Sequence, residues 1–262
     1  MIVRRFAVVG PILAASLGLA ACGTTSQPGS VPATTPAQVS PADALTNALA
    51  TLKNTGYDAT LTFRANHATV RTSVDYANKA VTQALSMGDQ TSSQAFTQIG
   101  PDLWVKADFG PLDQNLNIDK TKWYKLDASK LKPEAIPFDL NGTPHPIRPL
   151  SWPLGIGTAF ASVSNVTRSD ATHLAGLVDL TKATGPEAPG KSSTTYAAVP
   201  FTATLDGHGR LTDLRITETE ADFDLDITFS NYGSPTLIAA PAATDVLPAP
   251  DGLYHVMNGT SG

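Results

Sequence analysis

One run of eight residues constrains this chain more than any other. Asp222-Phe223-Asp224-Leu225-Asp226-Ile227-Thr228-Phe229 alternates polar and large apolar side chains without a fault. Successive side chains of an extended chain point to opposite faces. The run is therefore read as a strand, with Phe223, Leu225, Ile227 and Phe229 on a buried face and three aspartates and a threonine on the other. A half-buried strand needs partners of the same pattern, and they lie just upstream. Val199, Phe201, Ala203 and Leu205 alternate with polar or small residues. Asp206-Gly207-His208-Gly209 then gives a tight hairpin turn. The chain returns through Leu211, Leu214 and Ile216. Leu214 and Ile216 are at even positions, whereas the apolar residues of the third run are at odd ones, so a turn or bulge is expected over residues 217–221. Asn231-Tyr232-Gly233-Ser234-Pro235 ends the third strand. Residues 199–241 thus read as a β-meander with an apolar inner face and an acidic outer face.

The opposite end carries a targeting signal. Arg4 and Arg5 precede an apolar stretch, residues 6–19, that is short for a membrane span. The stretch ends Leu19-Ala20-Ala21-Cys22-Gly23, which matches a bacterial lipobox, and Cys22 is the chain's one cysteine. Residues 1–21 are read as a lipoprotein signal peptide and Cys22 as the lipidated residue. Residues up to 39 are Thr, Ser, Pro, Gln and Gly with almost nothing apolar, and are read as a disordered tether. The folded domain is expected over residues 40–262.

That domain opens on a helix. Ser40 is placed to cap it, Pro41 holds the first position, and Leu45, Ala48, Leu49 and Leu52 form one stripe. Strands are expected at Tyr57 to Phe63, over residues 69–76 and 80–87, over 94–99 and 103–107, and at Trp123 to Leu126. Residues 133–153 hold six prolines, which exclude a regular element. A second helix is read at Leu154, Ile156, Phe160 and Val163, a strand through Leu174, Gly176, Val178 and Leu180, and a loop over 184–193. A last strand is read over 236–240, with a loosely ordered tail beyond Pro241. Many antiparallel strands with few helices make the fold class α+β. The net charge of −5 leaves no basic patch for phosphates, so nucleic acid is not an expected partner. A monomer is expected.

Several stretches together resemble the mycobacterial lipoprotein family of LppX and LprG. They are the run from Val199 to Leu211, the run from Ile227 to Pro235, Leu103-Trp104-Val105 with Lys122-Trp123-Tyr124-Lys125-Leu126-Asp127, and the strand from His173 to Asp179. With the lipobox and tether, these segments follow the family order over nearly the whole chain. The resemblance implies one domain with a large curved antiparallel sheet, a LolA-like half-barrel whose helices cover the concave face around an apolar cavity. It implies binding and transfer of acylated lipids or glycolipids, an anchor through Cys22 on the outer face of the cell membrane, and a membrane transporter as a further partner. No catalytic constellation stands out in the residues, so neither catalysis nor a cofactor is expected. The proline-rich segment and the tail depart from the family pattern.

The candidate cavity wall follows from the inward positions. It comprises Leu45, Leu49 and Leu52 of the helix, Leu61, Phe63, Trp104, Ile156, Phe160 and Val178. From the meander it takes Phe201, Leu205, Leu214, Ile216, Phe223, Leu225 and Ile227. The same side chains would also serve a packed core. Asp222, Asp224 and Asp226 stand about 7 Å apart along one face, too far for one calcium ion, and are read as a solvated acidic face. His67, His145, His173, His208 and His255 are scattered, without metal-ligand spacing, and no nucleophile elbow or phosphate loop is present.

Overall fold

A computed structural model describes residues 39–64, 67–88, 93–108, 110, 112–132, 159–183, 196–218 and 223–258. The described residues belong to one compact unit that starts at Val39. Its first element is the helix α1, Pro41–Thr51, capped as its sequence dictates: the Ser40 hydroxyl accepts from the Asp43 amide at 3.1 Å. Ten strands follow the alternating runs: β1 Tyr57–Phe63, β2 Ala68–Asp75, β3 Ala80–Met87, β4 Ser93–Ile99, β5 Asp102–Asp108, β6 Trp123–Leu126, β8 His173–Val178, β9 Val199–Leu205, β10 Leu211–Glu218 and β11 Phe223–Ser230. Two more strands, β7 Val163–Arg168 and β12 Val246–Pro248, lie where no strand was expected. Two short helices are also described, α2, Leu112–Leu116, and α3, Asp251–Met257.

All twelve described strands share one open sheet, in the order β12-β6-β5-β4-β3-β2-β1-β11-β10-β9-β8-β7. Neighbours are antiparallel throughout, except that β12 runs parallel to β6. The sheet has two halves. Residues 57–126 form one series of hairpins, and β7 to β11 form the other. The halves join where β11 pairs with β1, with Leu61 opposite Ile227 and Phe63 opposite Leu225. Few helices against so broad a sheet make this an α+β domain.

The meander stands as read. The phase change between the second and third runs coincides with a hairpin, in which Leu214 pairs with Ile227 and Ile216 with Leu225. A separate irregularity lies between Leu211 and Asp213, where the register against β9 shifts. It keeps Leu211 on the buried face although its number is odd.

Three readings are corrected. Val163 opens β7 and is not helical: Ala159 is helical, the 3-10 turn Phe160–Ser162 follows it, and the strand begins at Val163, while Leu154 and Ile156 lie outside the described residues. Leu180 follows β8 in a 3-10 turn, Leu180–Lys182. The tail is structured: residues 236–240 form no strand, and β12 and α3 lie beyond them, with Leu253 and Tyr254 buried. The signal peptide, Cys22, the tether, the proline-rich segment, Ile156 and the loop over 184–193 lie outside the described residues.

Candidate functional site

Register assigns each inward side chain to a face. Cross-strand partners point the same way, so Leu61, Ile227, Leu214, Ala203 and Leu174 form one row across five strands. Phe63, Leu225, Ile216, Phe201 and Gly176 form the next. Helix α1 packs on this face: Leu45, Ala48 and Leu52 are buried among these residues, with Leu49 part-buried beside them. Phe160 joins them, its ring edge-on to Phe201 at 5.5 Å between centroids. Val178 and Leu205 belong to the same cluster.

A second apolar cluster lies on the same face of the other half. Phe96, Leu103, Val105, Tyr124 and Leu126 pack there against Leu253 and Tyr254 of α3. The Tyr254 hydroxyl accepts from the Asp127 amide at 2.8 Å, which fixes the helix to the end of β6. Each cluster thus includes residues of one helix, α1 in the larger and α3 in the smaller.

Of the expected cavity residues, the structure brings together Leu45, Leu49, Leu52, Leu61, Phe63, Phe160, Val178, Phe201, Leu205, Leu214, Ile216, Leu225 and Ile227. Phe223 is the first residue of β11, and its side chain lies outside the described set. Trp104 is not one of them. It pairs with Thr97 and Lys125, in a row that continues through Thr82 and Ser73 to Asp58 on the opposite face. The Trp104 ring is 7 % exposed there, with the Lys125 ammonium 5.8 Å from its centroid. A tryptophan between two inward residues of one strand cannot share their face.

Sequence reading missed three polar residues on the covered face. Gln83 and Gln98 sit where the two apolar clusters part, Thr72 lies beside Gln83 at the edge of the larger one, and all three are buried. Nothing in their local pattern marks them, because a polar residue at an inward position reads as a break in the alternation.

The acidic outer face is not an open carboxylate array. Arg215 donates to Asp224 at 3.0 Å and lies 3.5 Å from Asp226. Arg64 donates to Asp226 from Nε at 2.6 Å. These two guanidinium groups pair with Asp224 and Asp226, while Asp222 lies outside the described residues. Among the described residues no group of three His, Cys, Asp or Glu side chains could hold a metal ion. His173 meets Asp170 at 2.8 Å through Nδ1, and the Thr172 hydroxyl approaches the same nitrogen at 3.1 Å. A nucleophile triad instead places hydroxyl and carboxylate on opposite ring nitrogens. This cluster is a turn cap, with the Asp170 carboxyl held well below its ordinary range by the Thr172 amide and the His173 side chain and amide.

No protein-family model matches the chain, and no curated protein does. Among solved structures, an uncharacterised conserved protein from Thermus thermophilus is similar over 79% of this chain and 97% of its own, with 10% identity and a TM-score of 0.39. A chain of the Pseudomonas aeruginosa MucA/MucB complex is similar over 78% of this chain and 59% of its own, with 13% identity and a TM-score of 0.30. At such TM-scores neither likeness carries an argument.

Proposed function

We propose that this chain is a membrane-anchored cell-envelope lipoprotein of the LppX and LprG type, which binds and transfers acylated lipids or glycolipids. The observation that carries the reading is the covered face. Two apolar clusters lie on one side of an open twelve-stranded sheet, each under its own helix, with part-exposed Leu49, Phe63 and Leu85 beside the larger one. Open sheets of more than about ten strands tend to curl, and a curled sheet with helices on its hollow side is a half-barrel. Burying acyl chains there needs no covalent chemistry. Each methylene removed from water contributes about 0.8 kcal/mol, so one long chain supplies on the order of 10 kcal/mol before ordering costs. The lipobox at Cys22 adds the anchor that keeps such a carrier at its membrane, since two acyl chains are about what stable anchoring requires.

Native mass spectrometry of the whole chain, extracted gently and then offered lipid vesicles, tests this. Co-purified or acquired lipid is the expected result. Repeated absence of both would overturn the proposal.

A second reading is favoured by one observation. Leu225 and Ile216 have no exposed surface at all, as in a solid core. The chain would then be a non-catalytic structural or sensory envelope module.

A further inference from the structure

The two apolar clusters share no residue; Gln83 and Gln98 stand on the line where they part, and Thr72 stands beside it at the edge of the larger cluster. Thr72 of β2 and Gln83 of β3 are direct cross-strand partners, each 3 % exposed. Gln98 of β4, opposite Val81 one row along, is 0 % exposed. A face built only as core would carry aliphatic residues at these positions, because a buried hydroxyl or amide costs stability unless it finds a partner. Gln98 has one, since its Nε2 donates to the Gly100 carbonyl at 3.1 Å. Thr72 does not: its Oγ1 is buried without a hydrogen-bond partner.

The seam is less buried at one end. Leu85 and Gln94, direct partners one row beyond Gln83, are only part-buried, and so is Met87 in the row after that. Rows on one face are about 7 Å apart. Thr72 therefore lies about 14 Å behind the Met87 row, in the direction in which the face becomes more buried. A long lipid entering at Met87 and parting the two clusters would carry its polar linkage past Thr72, with hydrocarbon on either side.

Resting on the lipid-binding reading above, we propose that the Thr72 hydroxyl donates a hydrogen bond to the ester or amide carbonyl that joins acyl chain to head in the bound lipid. A carbonyl only accepts, and a threonine hydroxyl brings a donor that no protein group uses here. The site then selects ester- or amide-linked acyl lipids over hydrocarbon or alkyl-ether analogues of the same length.

The test uses the delipidated whole chain and a matched pair of probes, 1,2-dioctanoylglycerol and its ether counterpart 1,2-di-O-octylglycerol. Each competes against a fluorescent dansyl-labelled fatty acid. The wild type is expected to prefer the ester by roughly three- to tenfold, the worth of one hydrogen bond. Thr72→Val, of the same shape but without the hydroxyl, should bind both equally, while Thr72→Ser should keep the preference. Thr72→Val should unfold at the same or a higher temperature than wild type, because it removes an unsatisfied polar group. Equal binding of ester and ether by the wild type would overturn this inference and leave the lipid-binding reading standing, as would an ester preference that survives in Thr72→Val. Failure of the wild type to bind either probe or the fatty acid would overturn both.

Discussion

Gly176 shows how closely single residues are fitted on the covered face. A Cβ built there would lie 2.8 Å from the edge of the Phe201 ring and 3.0 Å from the Ser164 carbonyl. The ring therefore rests on the backbone of β8, and only glycine lets it do so. Gly176→Ala should cost about 1–3 kcal/mol by overpacking, and Phe201→Leu in the same background should recover part of that loss. A double-mutant cycle by thermal unfolding reads the coupling; strict additivity would mean that the ring does not bear on Gly176. Asp58 is the corresponding polar fixture of the other face. Burial works against its charge, but side-chain hydrogen bonds from Asn231, Ser73 and Thr236, with the Thr236 amide, outweigh it and hold the carboxyl below its ordinary value. Those bonds fasten the segment after β11 to β1. A depressed carboxyl contributes stability that is complete above its unfolded value, about 3.9, and is lost as pH falls through the folded one. Asp58→Asn should lower stability at neutral pH and weaken the acid dependence below about pH 4, measured by denaturant unfolding across that range.

At the scale of elements, the tail is the clearest case of structure without a sequence pattern strong enough to reveal it. Helix α3 has only seven residues, fewer than periodicity can establish. Yet Leu253 is fully buried in the cluster that holds Val105 and Leu126 of the sheet, and Gly252 lies against Leu116 of α2. Leu253→Ala should cost about 2–5 kcal/mol, as for other fully buried leucines, and far more than Val256→Ala on the exposed side of the same helix. Thermal unfolding of the two variants decides it; similar losses would place α3 outside the core. The meander, α1 and the β1 to β5 hairpins were legible because each has a repeated period and a turn or cap at its ends. Strand β7 was not, since Ser164 and Asn165 interrupt its alternation and Asn165 takes a positive φ of 53° in an irregular stretch. Strand β12 has three residues and ends in Pro248. These two poorly patterned strands are the edges of the sheet. A bulged edge and a short proline-ended edge both resist pairing with another chain, so the feature that hides them in sequence is also what blunts them. Of the candidate site, the row positions could be read and their common face deduced. Trp104 was misassigned although the parity of β5 sets it opposite Leu103 and Val105, because its large apolar ring reads as inward.

At the scale of the whole molecule, the question is which parts of the covered face are solid and which can admit a chain. Side chains that are fully buried without ligand have no water-sized space beside them, and Leu225 is one. Leu225→Trp should therefore overpack the larger cluster and cost about 1–3 kcal/mol. Leu85 lies on the same face but is part-exposed, next to the seam between the clusters. Because Leu85 keeps part of its surface in solvent, an added ring can spread over the surface, so Leu85→Trp should cost less than Leu225→Trp, about 0.5 kcal/mol. Under the lipid-binding proposal the same ring occupies the acyl path, and uptake of a fluorescent fatty acid should fall. Asp224→Ala, on the far face in an exposed ion pair with Arg215, should change neither by much. Reduced uptake in Leu85→Trp with native stability locates the lipid between the two clusters. If instead Leu225→Trp is the variant that stays stable and stops binding, the lipid lies beneath α1 and the larger cluster opens to receive it. Uptake unchanged in both variants would remove this face as the binding surface and leave the filled module as the better account of the fold.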